Sequence, residues 1–334
     1  MADVKCGITV AGSLIADVFH EIDTYPDEGL LVSVRSISQS MGGSGNLVFD
    51  LAKLDPTLTV KVCSIVGEDN EGGLLLEKLS ECKNIDKRSI TVEGRSSKTI
   101  VMNSGDTKQR TFFFCPEASD KFDESYINWE LADAKIFHLE YLLLMKKVDS
   151  PDEEYGTHGA RILADAKRRG MITSIDVVSE KSDRAKQVVT AALKYTDICC
   201  LNEFETASVT EIELMHDGEV SEDMVKRALV RLTELGVTRW AVIHFPKAAY
   251  GYDKRFGEFV YVPSLKLPIG YIKGSTGAGD AYCSGILYGA YNDMTLRDSM
   301  LLARAAAAAS LSENNGTDGM RSYDEVLALG ELYG

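Results

Sequence analysis

Residues 274–291 read GSTGAGDAYCSGILYGAY, a glycine-rich turn that runs directly into an apolar helical segment. Glycines before a helix expose backbone N–H groups, and the helix dipole adds partial positive charge, so the turn is expected to bind an anion. Asp280 stands in the first helical turn, where it would repel an anion. It either takes a proton from a hydroxyl that attacks a phosphoryl group, or it only caps the helix.

Upstream of this turn, short apolar runs alternate with longer helical patterns, which is typical of βαβ units and a parallel sheet. The order predicts an α/β fold, a three-layer α/β/α sandwich. Candidate core strands are residues 7–11, 60–66, 134–139, 171–177, 197–201 and 239–244. Candidate helices are residues 47–54, 73–80, 158–169, 184–194 and 221–235, followed by 278–291, 296–310 and 323–329.

Two places interrupt the alternation. Residues 30–39 read LLVSVRSISQ with a period of two, and residues 97–103 and 110–115 read as strands joined by a turn at 104–107. These inserts, at about 14–40 and 96–116, predict a small β-sheet lid over the carboxyl ends of the core strands, where α/β sheets bind ligands. The alternative is an extra sheet that serves only stability. Residues 1–334 are expected to form one domain.

Composition excludes several classes of function. The chain of 334 residues carries a net charge of −15, which disfavours nucleic acid and anionic membranes as partners. No apolar run reaches the roughly 18 residues of a membrane span, and the first five residues lack the basic start of a signal peptide. The seven cysteines are scattered, without metal or redox spacing. A cytoplasmic protein with reduced thiols is therefore expected.

Two common nucleotide-binding motifs are missing. The chain lacks the Walker pattern G-x-x-x-x-G-K-[ST]. Gly43 and Gly45 are followed by Val48, where a dinucleotide fingerprint requires a third glycine. A P-loop enzyme and a dinucleotide-dependent oxidoreductase are therefore disfavoured.

Three motifs together resemble one family. Residues 276–282 (TGAGDAY) are similar to the C-terminal signature of the PfkB, or ribokinase-like, carbohydrate kinases, and residues 41–46 (MGGSGN) to the N-terminal signature. Residues 202–205 (NEFE) resemble the family's N-x-x-E motif. The resemblance spans nearly the whole chain. It implies a ribokinase-like fold and an ATP-dependent kinase that phosphorylates a hydroxyl of a small sugar or sugar derivative.

The resemblance also implies catalytic and cofactor roles. Asp280 corresponds to the general base, and the backbone of Gly277, Ala278 and Gly279 to the hole that holds the transferring phosphoryl group. Asn202 and Glu205 correspond to the pair that organises Mg²⁺, its waters and the ATP phosphates, with Glu205 reaching the metal through water. The nucleotide side would further include Thr276 and Gly279.

For the acceptor sugar, the resemblance implies contacts from both ends of the lid. Asp17 corresponds to a carboxylate that binds sugar hydroxyls. Glu140 is either a further sugar ligand or a strand end that faces solvent. Arg110 would contact substrate from the lid. The remaining expected contacts are Gly42, Gly43 and Asn46.

Two features depart from the family. Relatives usually carry Asp at about Gly274, and a glycine cannot coordinate a monovalent cation through a side chain, so the sequence gives no support for potassium activation. Residues 245–249 (FPKAA) replace a glycine-rich turn on the ATP side, which predicts an atypical nucleotide pocket. The lid aromatics Phe112 and Phe114 either pack internally or contact substrate or a partner, and relatives often form homodimers through the lid. A nucleoside kinase and a noncatalytic sugar-binding protein remain alternatives.

Overall fold

A computed structural model describes residues 5–107, 109–180, 182–216 and 218–334. Residues 1–4, on which the expectation of no signal peptide partly rests, lie outside the described residues, as does Lys108 within the predicted lid interval. The described strands are β1 (Ile8–Gly12), β2 (Leu14–Ile22), β3 (Val34–Gly43), β4 (Val60–Val66), β5 (Ile85–Val92), β6 (Ser97–Ser104), β7 (Arg110–Cys115), β8 (Ile136–Leu142), β9 (Pro151–Asp152), β10 (Gly156–Thr157), β11 (Ile172–Val177), β12 (Ile198–Asn202), β13 (Met215–His216), β14 (Glu219–Val220), β15 (Trp240–His244), β16 (Ala248–Asp253) and β17 (Glu258–Pro263).

A nine-stranded sheet forms the middle layer, in the order β17-β16-β15-β12-β11-β8-β1-β4-β5. All six predicted core strands lie in it and pair in parallel. The expectation of a parallel sheet is wrong at one edge, because β16 and β17 pair antiparallel. Their connections are tight turns, closed by Phe245 N–H to Ala248 O (2.8 Å) and Gly257 N–H to Asp253 O (2.9 Å), which leave no room for a crossover helix.

Helices cover both faces of this sheet, as a three-layer sandwich requires. The described helices are α1 (Ser44–Leu54), α2 (Asn70–Leu79), α3 (Ala118–Lys121), α4 (Lys146–Asp149), α5 (His158–Arg168), α6 (Arg184–Leu193), α7 (Glu203–Thr210), α8 (Glu222–Leu235), α9 (Ala278–Tyr291), α10 (Leu296–Ser310) and α11 (Tyr323–Tyr333). One hydrophobic cluster joins the sheet to α1, α2, α9, α10 and α11, and a second joins it to α5, α6, α7 and α8. Among the described residues, none of these helices combines the length and apolar character needed to cross a bilayer.

A separate four-stranded sheet, here called the small sheet, has the order β3-β2-β6-β7. Its strands fall within the two predicted inserts. The β2 strand begins at Leu14, directly after β1 ends, so the small sheet extends from the carboxyl end of a core strand. The β3 strand begins at Val34 rather than at residue 30, and Leu31 is 92% exposed.

Glycine is required where β1 meets β8. Gly12 has φ +151°, and a Cβ there would lie 1.5 Å from the carbonyl oxygen of Glu140. Because that oxygen belongs to the backbone of a buried strand, it cannot move aside as a flexible side chain could. The close approach places Glu140 against the end of β1.

We expect Gly12→Ala to destabilise the fold by at least about 3 kcal/mol, the range of severe core clashes. The matched control is Gly73→Ala in α2, where a Cβ would meet nothing within 4 Å. That variant should gain up to about 1 kcal/mol, because alanine favours an exposed helix interior. Chemical denaturation of both variants measures the two effects. Equal unfolding midpoints for Gly12→Ala and the parent protein would contradict the packing described here.

Candidate active site

The glycine-rich turn ends at Gly277, the N-cap residue of α9. Gly277 has φ 78°, in the left-handed region, and a Cβ there would lie 2.5 Å from the Cα atom of Gly316. Both features require glycine. Ala278 and Gly279 follow and line a cleft. The N–H groups of a first helical turn have no partner within the helix, so this turn can bind an anion.

Asp280 lies in the first turn of α9 and is buried. Asn46 donates a hydrogen bond from Nδ2 to Oδ2 of Asp280 at 2.9 Å, and the Tyr141 hydroxyl donates to Oδ1. Burial raises the pKa of Asp280, and the hydrogen bonds from Tyr141 and Asn46 oppose that rise. Asp280 is therefore an oriented carboxylate that is more basic than an exposed one, which suits proton abstraction.

Two more carboxylates lie beside Asp280. Glu140 at the end of β8 and Asp176 at the end of β11 each place an oxygen within 4.8 Å of the others. Burial, reinforced by neighbouring negative charges, raises the pKa of Glu140 and of Asp176 well above the usual range. Within the described parts of the chain, no Lys or Arg forms a salt bridge to any of the three. The centre is therefore a cluster of three carboxyl groups that no Lys or Arg pairs within the described residues.

The side chain of Glu140 contacts a buried histidine. Nε2 of His138 lies 3.1 Å from Oε2 of Glu140, and Nδ1 lies 3.0 Å from Oγ of Ser174. Burial lowers the pKa of His138 to about 3, so the imidazole is neutral near pH 7. Oε1 of Glu140 has no hydrogen-bond partner among the described residues. Glu140 is fully buried, so the alternative of a solvent-facing strand end is wrong.

Asp17 approaches the same centre from the small sheet. It lies opposite Ser40 of β3 and Thr99 of β6. Burial raises the pKa of Asp17 to about 6; a hydrogen bond with Thr99 opposes the rise and the charge of Asp280 adds to it. A Cβ on Gly42 would lie 2.2 Å from Oδ2 of Asp17, so the glycine lets the carboxylate approach the backbone.

Asn202 and Glu205 form a capping box at the start of α7. Oε2 of Glu205 accepts the backbone N–H of Asn202 at 2.9 Å, and Oε1 accepts Nδ2 of Asn202 and Oγ of Ser179, each at 2.6 Å. Burial raises the pKa of Glu205 to about 7, although these hydrogen bonds oppose it. The charge of Glu205 in turn raises the pKa of Asp176, so the two carboxylates are neighbours. An all-oxygen donor set of this kind fits Mg²⁺.

A cleft of about 770 Å³ opens between the start of α9, the β15–β16 turn and α10. Residues 245–249 contribute Phe245, Pro246, Ala248 and Ala249 to its wall. Further lining comes from Asn202, Gly279, Tyr282, Leu267 and Arg304. The cleft therefore offers apolar surface on one side of the anion-binding turn.

Two predicted positions have specific surroundings. Nη1 of Arg110 donates to Oγ1 of Thr276 at 2.6 Å, so the guanidinium from β7 reaches the anion-binding turn rather than the carboxylate cluster. A Cβ on Gly274 would lie 3.2 Å from Cα and O of Asn314 and from the carbonyl oxygen of Glu313. A side chain at position 274 would require those backbone atoms to shift.

Several residues of the centre were not anticipated. Asp176 is the penultimate residue of the predicted core strand 171–177, so the rule that ligands bind at the carboxyl ends of parallel strands could have identified it. Tyr141 lies 139 positions from Asp280, and no sequence pattern links them. His138 was noted only as a strand residue. Asp50 in α1 was overlooked because it stands inside a helical pattern.

The chain is similar to proteins that are named as sugar kinases. A family model described as pfkB family carbohydrate kinase matches residues 7–322. A probable fructokinase from Arabidopsis thaliana is 25% identical over 277 residues, covering 78% of this chain and 76% of the relative. A 5-dehydro-2-deoxygluconokinase from Listeria monocytogenes is 38% identical over 86 residues, covering 26% of this chain and 25% of the relative.

Solved structures confirm the fold. Ribokinase from Arabidopsis thaliana, complexed with ribose and ATP, superposes with a TM-score of 0.81 at 20% identity, covering 98% of this chain and 99% of that one. A nucleoside kinase of the ribokinase family from Methanocaldococcus jannaschii gives 0.75 at 17% identity, covering 98% and 99%. The predicted ribokinase-like α/β architecture is therefore confirmed.

Asp50 provides a test of the acidic centre. It is fully buried, and neither carboxylate oxygen has a hydrogen-bond partner among the described residues. Burial raises the pKa of Asp50 well above its usual range; the charges of Asp280 and Glu140 add to this, and Lys53 opposes it. The folded protein therefore holds a proton at Asp50 that the unfolded chain releases above the ordinary pKa of aspartate.

The stabilisation that this proton provides is fully present at low pH and is lost as pH rises through the raised pKa of Asp50. Asp50→Asn has no such proton, so its free energy of unfolding relative to the parent should increase between pH 5 and 8, by up to about 1.4 kcal/mol per pH unit. Denaturation series at several pH values measure this difference. The exposed Asp27→Asn is the control and should show no trend; a pH-independent difference for Asp50→Asn would contradict the raised pKa.

Proposed function

Because the chain belongs to the pfkB family of carbohydrate kinases, we propose that it transfers the γ-phosphoryl group of ATP to a hydroxyl of a small sugar or sugar derivative, with Asp280 as the general base. One observation carries this proposal. The buried Asp280 carboxylate stands at the anion-binding turn, close to the acceptor candidates Asp17 and Glu140, and the preceding residues Ala278 and Gly279 line the 770 Å³ cleft.

The acceptor is bound on the side of the small sheet. Carboxylates accept hydrogen bonds from sugar hydroxyls, and Oε1 of Glu140 is free to do so. Asn46 holds Oδ2 of Asp280, so Oδ1 faces the hydroxyl once the Tyr141 contact opens. Asp280 takes the proton of the acceptor hydroxyl as the hydroxyl oxygen bonds to the γ-phosphorus. The bond from phosphorus to the bridging oxygen breaks, and ADP leaves.

The phosphoryl group is bound at the turn. The N–H groups around Gly277, Ala278 and Gly279 would donate to its oxygens, and Arg110 is held nearby through Thr276. Asn202 and Glu205 would hold Mg²⁺ through its waters, and the residues present fit such a role. When bound, Mg²⁺ neutralises negative charge on the phosphate oxygens.

The small sheet would act as the lid. Closing over the acceptor excludes water, which limits ATP hydrolysis. Its outer surface exposes apolar side chains, with Ile37 62% and Phe113 49% exposed, which supports a homodimer formed through this sheet. Monomeric behaviour at micromolar concentration in sedimentation would count against that dimer.

The charge of the acceptor side favours uncharged substrates. Asp17, Glu140 and Asp280 form no salt bridge with Lys or Arg in the described ranges. An added carboxylate or phosphate close to Asp17 and Asp280 would meet carboxylates that no Lys or Arg pairs within the described ranges. A neutral polyol, which donates hydroxyl hydrogens to carboxylates, is the complementary acceptor.

A nucleoside kinase is the second candidate, on one observation. Phe112 lies on the strand face that also carries Arg110, and it is 58% exposed. An exposed aromatic ring there could stack on a base. Measuring ATP consumption against neutral sugars, sugar acids, sugar phosphates and nucleosides separates the two candidates, and a preference for nucleosides would overturn the sugar assignment.

We expect Asp280→Asn to reduce kcat by about two to four orders of magnitude, the usual effect of losing a general base. Asparagine preserves the shape of the side chain, so binding of the acceptor should change little. Steady-state kinetics and calorimetric titration of the best acceptor measure the two quantities. Full turnover in Asp280→Asn would exclude the proposed role, and equal loss in the surface control Asp27→Asn would show a nonspecific effect.

The pH profile tests the same carboxylate. Because a base acts only when ionised, and burial raises the pKa of Asp280, the acid limb of kcat/KM should lie at higher pH than the ordinary pKa of an exposed aspartate. Tyr141→Phe removes a hydrogen bond that lowers the pKa of Asp280, so its acid limb should move to higher pH. Tyr195→Phe, remote from the centre, is the control; an unmoved limb in Tyr141→Phe would separate Asp280 from the profile.

A further inference from the structure

A second cavity lies between the small sheet and the body of the protein, beside the residues proposed to bind the acceptor and the phosphoryl group. Its volume is about 490 Å³. Three lining residues belong to the body: Lys273, Asn314 and Asn315. The others belong to the small sheet or to the turn between β6 and β7: Phe19, Glu21, Ser38, Gln39, Ser40, Asn103, Ser104, Gly105, Gln109 and Arg110.

The cavity begins beside the acceptor carboxylate. Ser40, which lines it, lies directly opposite Asp17 in the β2–β3 register. Side chains alternate along a strand, so Asp17, Phe19 and Glu21 share one face of β2. Four residues of strand span roughly 13 Å, so Glu21, which lines the cavity, lies about that far along β2 from Asp17. This length exceeds what one sugar ring bound at Asp17 would occupy.

The lining is suited to hydroxyl groups. Nδ2 of Asn103 donates to Oε1 of Glu21 at 2.6 Å, while Oδ1 of Asn103 is buried and has no hydrogen-bond partner among the described residues. A buried acceptor of this kind is costly unless a ligand donates to it. Phe19 supplies an aromatic ring, and an aromatic ring can pack against the C–H face of a sugar.

The two cations of the lining already have partners. Arg110 donates to Thr276, and Lys273 pairs with Glu313 at 3.0 Å. A nucleobase would need aromatic or apolar contact on both faces, and Phe19 is the single aromatic side chain among the described lining residues. Amide and hydroxyl groups make up most of the rest.

We propose that this cavity binds a second, uncharged glycosyl ring, so that the acceptor is a two-ring glycoside whose first ring lies against Asp17 and Asp280. The inference rests on the proposed kinase function and specifies its substrate class. The outer ring would stack on Phe19 and donate a hydroxyl to Oδ1 of Asn103.

The test compares matched acceptors with the full-length protein and ATP. Glucose is paired with maltose and cellobiose, galactose with lactose and melibiose, and fructose with sucrose, and ADP release gives kcat/KM. For at least one two-ring acceptor, kcat/KM should exceed the kcat/KM of each component monosaccharide by about tenfold. A factor of this size corresponds to one or two added hydrogen bonds. If every pair favours the monosaccharide, or if a sugar phosphate is the best acceptor, the second-ring proposal is wrong while the kinase function stands.

Three variants locate the effect in the cavity. Asn103→Ala should lower kcat/KM for the two-ring acceptor by about tenfold and leave the monosaccharide within about twofold. Ser38→Trp changes an exposed residue and fills the cavity, so it should also lower kcat/KM for the two-ring acceptor. This variant keeps the test usable if Asn103→Ala folds poorly. Thr111→Ala, exposed on the opposite face of β7 from Arg110, is the control and should change neither acceptor. Equal losses for both acceptors in the first two variants would overturn the proposal.

Binding measurements distinguish a failure of the kinase function from a failure of the second-ring site. If no acceptor consumes ATP, the kinase function fails, and calorimetric titration of the same sugar pairs then decides the cavity's role alone. Tighter binding of a disaccharide that Asn103→Ala and Ser38→Trp both weaken supports the second-ring site. Equal affinity for one and two rings overturns it.

Discussion

The structure depends on holding the Asp280 carboxylate out of water at the point where the core strands end and α9 begins. Removing a charged group from water is unfavourable, and the charge of Asp280 in turn raises the pKa values of its neighbours Glu140 and Asp176. Hydrogen bonds from Asn46 and Tyr141 and the dipole of α9 offset part of that penalty. The net result is a raised pKa, which is a useful property in a base and an unfavourable one in a structural group.

Backbone packing makes that arrangement possible. Gly12 lets β1 run against the carbonyl of Glu140, and Gly277 turns the chain into α9 in a conformation that other residues rarely adopt. The two glycines fix where Glu140 of β8 and Asp280 of α9 meet. The small sheet then adds Asp17 from the opposite side, so the acidic centre is shared between the core and the inserted strands.

The two sides of Asp280 differ in chemical character. The 770 Å³ cleft is lined mainly by apolar side chains, including those from the β15–β16 turn and α10, and the cavity beside the small sheet is lined mainly by amides and hydroxyls. The proposed transfer reaction would require such a division, because a nucleobase and a polyol need different surroundings. Asp280 and the anion-binding turn lie at the boundary, where a phosphoryl group could contact both.

The amino-acid sequence alone predicted the core strands and the glycine-rich turn with Asp280, because strand periodicity and glycine requirements are local properties, whereas Asp17 and Asn46 followed only from the resemblance to the pfkB family. Glu140 was identified, but whether it was buried depended on its neighbours. Only the tertiary structure decided the antiparallel edge strands, since pairing direction follows from how the chain turns back at residues 245–248. It alone also brought Tyr141, Asp176 and Asp50 to the centre, because contacts between residues far apart in the chain leave no periodic trace in the sequence.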